Sequence, residues 1–518
     1  MSTITETRQV GGQVELADPA SVAGSRYANP ELLPVPLSKR TWTTYNYIAI
    51  WMGMAHAISS YLLASGLIVL GMSWLQAFLT ITVANLLVLI PMLLNSHAGT
   101  KYGIPYPVFA RAFFGVRGAS LAALLRALVA CGWFGIQTWI GAQAIYTVVG
   151  RLTGAGWTNA SSFGGQPWTL WVSFAAFWLV QMALIWRGIN ALRRFENWAA
   201  PVVTLAFTAL LVYMLVKAGG IGPVLHQSGS LGWGSKFWVV FWPSLMAMIA
   251  YWATLSLNMP DFTRFSKGQK QQVWGQVLGL PTTMSYIAIV SIIVTSAATV
   301  VYHTTIWDPV ALTTKFSSTA VVVIGLIMII LATMSVNVAA NVVSPSYDFS
   351  NIAPRFVSFR TGGLITGVIG IAIQPWRLLS DPHVYIYTWL GFYGGLLGTI
   401  AGVLIAGYWV RWRTSLSLGS LYTPDGRYWF AGGWNWRAVA ATVAGAVLSV
   451  GGAYTAPGTG GPFPVNGLIP ALKPLYDYSW VLGLGAGFAV YLVLSLPVFG
   501  RPDAPREQDD LVTDVARG

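Results

Sequence analysis

The residues from Ala130 to Ala144, ACGWFGIQTWIGAQA, place side chains that could bind a ligand inside an apolar run. Trp133 and Gln137 are four residues apart, so on a helix they lie one turn apart on the same face. An indole and a carboxamide on one face suit a flat, polar heterocycle, because the indole stacks on the ring and the amide hydrogen-bonds its edge. The alternative is structural: Trp139 anchors the helix at the membrane interface, and Gln137 and Gln143 join neighbouring helices.

A second polar stretch, IWMGMAHAISSY, lies in the first long apolar run. Gly53, His56, Ser59 and Ser60 fall near its middle, where polarity is tolerated if the helix is interrupted and lines a cavity. His56 is the one ionisable group of this run. It is either a neutral histidine bonded to a neighbouring helix or a protonatable group with a functional role, since the reference pKa of histidine lies near neutrality.

A third stretch, MAMIAYWATLSLNMPDFTRF, carries Tyr251 and Trp252 at the middle of another apolar run. Near its inner end, Pro260 is expected to stop the helix. Asp261 and Arg264 are expected to form an ion pair there.

A fourth stretch, ATMSVNVAANVVSPSYDFSN, places Asn337 and Asn341 on one helical face, with Ser335 beside it. Polar groups in an aliphatic helix need partners inside the protein. Substrate contact and structural hydrogen bonding remain two open interpretations of these side chains.

The composition indicates that these stretches belong to a membrane protein. Of 518 residues, 55% are hydrophobic and 9% are charged, and many uncharged runs of about 20 residues are long enough to cross a bilayer. The net charge of +13 does not indicate nucleic-acid binding, because Lys and Arg are scattered among the apolar runs. The single cysteine, Cys131, defines no disulfide framework.

Apolar runs predict twelve membrane spans, at approximately 43–66, 72–95, 118–149, 168–187, 196–217, 236–258, 276–302, 319–343, 362–376, 384–410, 434–454 and 479–499. The distribution of cations supports this count, because basic loops follow every even-numbered span. The outer loops hold only Arg151, Lys217, Lys236, Lys315, Arg377 and Lys473. We therefore expect a multi-pass protein of the cell (plasma) membrane with both termini in the cytoplasm.

Two ordered connectors suggest an inverted repeat. NSHAGTKYGIPYPVFARAFFGVRG, on the inner side, is expected to contain a short helix, and VYHTTIWDPVALTTKF lies at the equivalent outer place. If spans 1–5 and 6–10 are the two halves, spans 1 and 6 are the interrupted pair. The expected fold is an all-α polytopic membrane protein with a 5+5 inverted-repeat core and two C-terminal helices. Its expected divisions are a tail at 1–42, halves at 43–217 and 236–411, spans 11 and 12 at 434–499, and a tail at 500–518.

At WFGIQTW, YWATLSLNMPDFTRF and ATMSVNVAANVVSPSYDFSN the chain resembles the nucleobase:cation symporter-1 family, and the likeness runs from about residue 33 to about residue 415. The resemblance implies a ten-helix inverted-repeat core that works by alternating access. Members of this family import nucleobases, allantoin, hydantoins or vitamins such as thiamine, driven by sodium or protons.

The resemblance also implies roles for individual residues. Trp133 and Trp252 match the two indoles that sandwich the substrate ring. Gln137 and Asn341 match the amides that hydrogen-bond it, and Tyr251 offers further contacts.

Two more positions complete the substrate site that the resemblance implies. Leu390 falls where the family has a bulky gate residue that closes the outer end of the pocket. Ala57 stands where relatives usually carry Asn or Gln, so this chain lacks one substrate contact.

The family's sodium site maps to Gly53, His56, Ala332, Ser335 and Val336. Sodium needs several oxygen ligands, and Val336 stands where the sodium-coupled pattern has a hydroxyl residue. Because His56 lies beside the same site, proton coupling competes with sodium coupling as an interpretation.

The leading hypothesis is a secondary transporter that imports a small planar nitrogen heterocycle of the nucleobase, allantoin or hydantoin type, coupled to Na⁺ or H⁺. The alternative on the same fold is a carrier for an amino acid, an amine or a vitamin such as thiamine. An intramembrane enzyme is disfavoured, because the spans contain no HExxH motif and no paired Asp. Expected partners are the heterocycle and membrane lipid, without nucleic acid or a cofactor, and the sequence is compatible with a monomer.

Overall fold

The computed structural model describes residues 7–187, 189–227, 229–424, 426–496 and 512–514. In this part of the chain, six helices are long and apolar enough to cross a membrane, or up to eight spans if each of two bent pairs is counted as one. The protein is therefore a mostly helical, polytopic membrane protein, as predicted. The count of twelve spans and the division of the chain into halves stay predictions, and most of the expected tail at 500–518 lies outside the described residues.

The helices of the first half of the chain that matter below are α1 (Thr44–Ala55), α2 (Ile58–Val69), α3 (Trp74–Tyr102), α4 (Tyr106–Phe114), α5 (Ala119–Thr153), α6 (Trp168–Trp186) and α7 (Ile189–Lys217). Short helical segments lie between or before them at Ala20–Ala23, Leu37–Lys39, Ala155–Thr158 and Ile221–Leu225.

The second half contains α8 (Ser235–Tyr251), α9 (Ala253–Asn258), α10 (Gln269–Tyr302), α11 (Pro309–Thr314), α12 (Thr319–Asn341), α13 (Val343–Ile352), α14 (Phe359–Ala372), α15 (Gly391–Ile405), α16 (Trp436–Val450) and α17 (Ser479–Leu494). Wider π-helical turns, Val384–Leu390 and Ala406–Arg411, flank α15. Shorter segments are Pro260–Thr263, Pro375–Leu378, Gly419–Leu421, Pro470–Leu472 and Lys473–Tyr476.

The structure also contains short strands, and the sequence analysis did not predict them. β1 (Thr7–Val10) pairs antiparallel with β2 (Gln13–Leu16) and parallel with β5 (Val512–Asp514). A second hairpin joins β3 (Ser162–Phe163) to β4 (Gln166–Pro167). The expected N-terminal tail is therefore ordered in part.

The first and sixth predicted spans are interrupted, as the inverted-repeat scheme predicts. α1 and α2 meet at 60°, and His56 and Ala57 leave helical geometry between them, with ψ of 61° and 154°. In the sixth span, α8 ends at Tyr251, Trp252 has φ −101° and ψ 7°, and α9 follows. Such breaks expose backbone groups and are tolerated where they face protein or a cavity rather than lipid.

The two ordered connectors also fold as expected. The inner connector contains α4, whose residues are all buried, and the outer connector contains α11, which Asp308 caps by accepting a hydrogen bond from Val310 N at 2.9 Å. The prediction for Pro260 needs a correction. The preceding helix already ends at Asn258, and Pro260 begins the next short segment as its first residue, where proline is favoured.

Small residues let α15 pack closely against its neighbours. A Cβ atom at Gly398 would lie 2.7 Å from the carbonyl oxygen of Trp480 on α17, so only glycine allows the two backbones to approach this closely. This packing fixes α15 and the π-helical turn before it, which supplies aromatic side chains to the centre of the protein.

Candidate functional site

The candidate site is an aromatic cluster centred on Tyr251, the last residue of α8 before the interruption. The Tyr251 ring meets Trp133 of α5 at 5.2 Å between ring centroids and Trp252 at 4.8 Å, both edge to face. The two indoles that sequence reasoning selected therefore both contact one phenol. Trp252 also packs edge to face on Trp51 of α1 at 5.1 Å.

Hydrogen bonds join the two interrupted spans at the same phenol. Tyr251 OH lies 2.8 Å from Ser59 Oγ and 2.8 Å from Ser60 Oγ, both in the first turn of α2. Gln137 Nε2 donates to Ser59 Oγ at 2.8 Å. The structure thus brings Gln137, Tyr251 and both breaks together, and it adds Ser59 as the residue that connects them.

Four polar atoms of this cluster are buried without a hydrogen-bond partner: Gln137 Oε1 and the indole Nε1 atoms of Trp51, Trp252 and Trp389. The amide oxygen is an acceptor and the indole nitrogens are donors. Buried polar atoms left unpaired cost free energy, so a ligand that offers one N–H and one C=O to this cluster would recover part of that cost.

Three aromatic residues before and within α15 complete the cluster and were not selected from the sequence. Tyr393 OH accepts a hydrogen bond from Trp133 Nε1 at 3.1 Å, Tyr385 OH donates to Ser59 O at 3.3 Å, and Trp389 packs on Tyr393 at 4.9 Å. The signal that could have found them is the placement of aromatic side chains among the glycines of the tenth span.

Asn341 lies in a neighbouring network of amides. Its Nδ2 donates to Asn337 Oδ1 at 3.0 Å, and Asn337 Nδ2 donates to Gln181 Oε1 of α6 at 2.6 Å. Gln181 Nε2 in turn donates to Thr138 Oγ1 at 3.1 Å. Asn337 therefore has a structural role, whereas Asn341 ends the network next to the break between α12 and α13.

Gly53 lies on α1, His56 directly follows that helix, and the other predicted coupling-ion residues lie on α12, which contacts α1. Ala332, Ser335 and Val336 are buried, and Val336 offers no side-chain oxygen. His56 Nδ1 is 2.7 Å from Thr204 Oγ1 of α7, its ring lies 4.9 Å from the Tyr286 ring, and its Nε2 is buried without a partner.

Other predicted residues have simpler surroundings. Ala57 is fully buried and begins α2 in extended backbone geometry, whereas Gly53 of α1 is only partly buried. Leu390 is fully buried at the end of the π-helical turn before α15. Its gate role stays a prediction. Within the described ranges, no group of three or more His, Cys, Asp or Glu side chains could hold a metal ion.

A buried ion pair lies away from the aromatic cluster, toward the predicted inner side. Arg126 Nη1 of α5 contacts Asp348 Oδ2 of α13 at 2.9 Å, and the two side chains are 1% and 0% exposed. Asp261 is also fully enclosed and accepts a hydrogen bond from Tyr106 N at 2.8 Å. The sequence carried a signal for this pair, because an arginine inside an apolar span needs an internal partner.

The expected ion pair between Asp261 and Arg264 is wrong. Arg264 Nη1 donates to Glu31 O at 2.8 Å, and its guanidinium lies over the Tyr347 ring at 4.8 Å. The short helix that begins at Pro260 turns the two side chains to different partners.

Comparison with known proteins identifies relatives over most of the chain. Residues 34–483 match a family of permeases for cytosine/purines, uracil, thiamine and allantoin. The chain is 39% identical over 480 residues to an allantoin permease of Bacillus subtilis, covering 91% of this chain and 93% of the relative. It is 38% identical over 470 residues to the purine-uracil permease NCS1 of Arabidopsis thaliana, covering 90% and 78%.

A solved structure matches over nearly the whole chain. It is Mhp1, a nucleobase-cation-symport-1 family transporter, in a closed conformation with bromovinylhydantoin bound. The TM-score is 0.72 at 25% sequence identity, and the match covers 92% of this chain and 98% of that one.

Proposed function

Because the chain belongs to the family of permeases for cytosine/purines, uracil, thiamine and allantoin, we propose that it imports a neutral, planar heterocycle with adjoining N–H and C=O groups. Allantoin and uracil are the leading candidates, since the relatives with the highest identity above carry those names. The protein is a cation-coupled secondary transporter and not an enzyme. Which heterocycle and which cation it carries are matters that we propose below.

The observation that carries this proposal is a pair of unpartnered atoms beside Tyr251. Gln137 Oε1 matches a ring N–H, and Trp252 Nε1 matches a ring C=O. The side chains described around them are aromatic, hydroxyl and amide groups without a formal charge. A zwitterionic amino acid or the thiamine cation would bring an unpaired charge into this low-dielectric region, which is costly, so the neutral heterocycle is favoured over both alternatives.

We assign the roles as follows. Trp133 and Trp252 supply the faces on which the ring stacks, and Gln137 hydrogen-bonds its edge. Tyr251 contacts both indoles and offers further contacts to the substrate. Asn341 supplies the second amide, Ala57 lines the start of α2, and Leu390 closes the outer end.

The experiment that tests the substrate class is competition of uptake in proteoliposomes. Uptake of labelled allantoin and of labelled uracil is measured with a proton gradient, with unlabelled allantoin, uracil, cytosine, hydantoin, leucine or thiamine in excess. We expect competition by compounds that share the N–H and C=O edge and none by leucine or thiamine. Competition by leucine or thiamine alone would refute the proposal.

We propose that the coupling cation is a proton. This rests on Val336, which removes a side-chain oxygen from the predicted sodium site, and on His56, whose Nε2 is buried without a partner beside the break. Sodium, a hard cation, would find few oxygen ligands there.

Val336→Thr is expected to make uptake sodium-stimulated, because the new hydroxyl restores the missing ligand. Uptake by the unaltered protein is expected to change less than about twofold when sodium is replaced by choline at constant pH. Val338→Thr is the matched control, since Val338 is buried on the same helix within a different cluster, against Met182 and Ile185. Strong sodium dependence of the unaltered protein would exclude proton coupling.

We also propose the orientation of the protein in the membrane and its oligomeric state. The scarcity of outer-loop cations supports cytoplasmic termini in the cell membrane, and the closed aromatic cluster within one chain supports a functional monomer. Because Cys131 is buried, a cysteine placed at Lys236 should react with a membrane-impermeant maleimide in intact cells. Protection of that cysteine would reverse the orientation.

A further inference from the structure

A groove separate from the aromatic cluster runs between α7 and α12. Its volume is about 280 Å³, and its walls are almost wholly apolar. Ile58 and Ala332 lie at one end, and Tyr213 and Phe316 lie at the other, with their rings 4.7 Å apart. Ile324 on its rim is 60% exposed, so the groove opens sideways toward the surrounding lipid.

The depth of the groove matches one leaflet of the bilayer. Its α7 wall runs from Val203 to Tyr213, which is about 15 Å at about 1.5 Å per residue. The hydrocarbon core of a bilayer is about 30 Å thick. Because α7 ends at Lys217, on the predicted outer side, the groove spans the outer leaflet from the middle of the membrane to its surface.

Two exposed lysines stand at the outer end of this groove. Lys217 Nζ lies 5.4 Å from the centroid of the Tyr213 ring, and Lys315 directly precedes Phe316. They are two of the six cations that the sequence places in outer loops. The nearby carboxylate of Asp308 is directed at the first backbone N–H groups of α11, so it caps that helix.

We propose that this groove binds one acyl chain of an anionic phospholipid of the outer leaflet, with the phosphate at Lys217 and Lys315. The walls supply the apolar surface that an acyl chain requires, and the lysines supply charge complementarity at headgroup depth. The charge at headgroup depth favours a phospholipid over an apolar helix of a second protein, which would offer no phosphate to the two lysines.

The inner end of the groove lies beside the interruption of the first span. Ile58 is the first residue of α2 after the interruption, and Ala332 belongs to the predicted coupling-ion group. Val203 adjoins Thr204, which bonds His56. A chain lying in the groove would therefore end against the break of the first span.

Native mass spectrometry of the full-length protein titrated with phosphatidylglycerol tests this site, with phosphatidylcholine of the same acyl chains as the comparison. We expect one tightly held phosphatidylglycerol per chain and at least about tenfold weaker retention of phosphatidylcholine. Lys217→Gln and Lys315→Gln should each weaken phosphatidylglycerol binding about fivefold. Lys236→Gln, which changes an exposed outer lysine elsewhere, should leave it unchanged.

Gly325→Leu fills the groove and should abolish retention. A Cβ atom at Gly325 would meet only Thr313 Cγ2, at an ordinary 3.4 Å, so a side chain has room to enter. Gly485→Leu is its matched control, because a Cβ atom there meets nothing within 4 Å. If Gly325→Leu fails to fold, the two lysine variants decide the question, since they change only exposed side chains.

Three results would overturn the proposal. They are equal retention of both phospholipids, unchanged retention by the double lysine variant, and a dimer that dissociates when Ile324 is replaced by Asp. The first would show a lipid without headgroup selection, the second would remove the lysines from the site, and the third would show that a second copy covers the groove.

Discussion

Gln137→Ala is expected to weaken substrate binding about thirtyfold and to abolish most uptake at low substrate concentration. The variant removes the acceptor that we assign to the substrate and also leaves Ser59 without its amide partner. The loss of a hydrogen bond between buried groups costs about 2 kcal/mol when its partner stays unpaired, which corresponds to about a thirtyfold change.

Gln143→Ala separates this effect from damage to the helix. Gln143 is the same residue type on the same helix, only partly buried, and it lies six positions further along. We expect this control to bind substrate as the unaltered protein does. If Gln137→Ala bound substrate normally while remaining in the membrane, Gln137 would be a packing residue and the assignment would be withdrawn.

Arg126→Met is expected to have the largest effect on stability. The change leaves the buried carboxylate of Asp348 without its partner and removes a positive charge that also interacts with Asp261. Breaking a buried ion pair in this way costs about 3–5 kcal/mol. A thermal-unfolding assay on detergent-solubilised protein should therefore show a markedly lower melting temperature and less monodisperse protein.

The double variant Arg126→Met/Asp348→Leu distinguishes charge from packing. Replacing both partners with apolar residues is often neutral, so the double variant should recover most of the lost stability. Arg151→Met, which removes an arginine with exposed hydrogen bonds to the residues at the start of α12, should change little. An unchanged melting temperature for Arg126→Met would show that Asp348 is stabilised by other groups.

Much of the fold could be predicted from the hydrophobic runs and from the polar, Gly and Pro residues that interrupt them. Interruption of the first and sixth spans was predicted from polar residues in apolar runs together with the expected symmetry. The structure confirms both interruptions and places them at His56–Ala57 and at Trp252. Long apolar segments leave few alternatives to a helix in lipid. The hairpin of the N-terminal tail was missed although Gly11 and Gly12, both at positive φ, form the two-residue turn that favours one. Only the pairing of β1 with the segment near residue 512 is set by tertiary contact and not by local pattern.

The site was only partly predictable. Residue spacing predicts which side chains share a helix face, but it does not predict which side chains of other helices they contact. Trp133 and Gln137 do share a face: Trp133 contacts Tyr251 of α8, and Gln137 donates to Ser59 of α2. That Tyr251 contacts both indoles, and that Ser59 links it to Gln137, depends on how three helices meet. Asp261 and Arg264 illustrate the same limit, since their closeness in sequence suggested a pair that the turn after Pro260 separates.

The most direct test of the account is quenching of tryptophan fluorescence in purified protein by allantoin and by uracil. With 25 tryptophans in the chain, the signal is assigned by difference, using Trp133→Phe and Trp252→Phe, with Trp436→Phe as an exposed control. The account predicts saturable quenching by at least one of the two compounds, retained in the control and lost in the first two variants. Saturable quenching that survives both substitutions would contradict it, because the substrate would then bind away from the cluster around Tyr251.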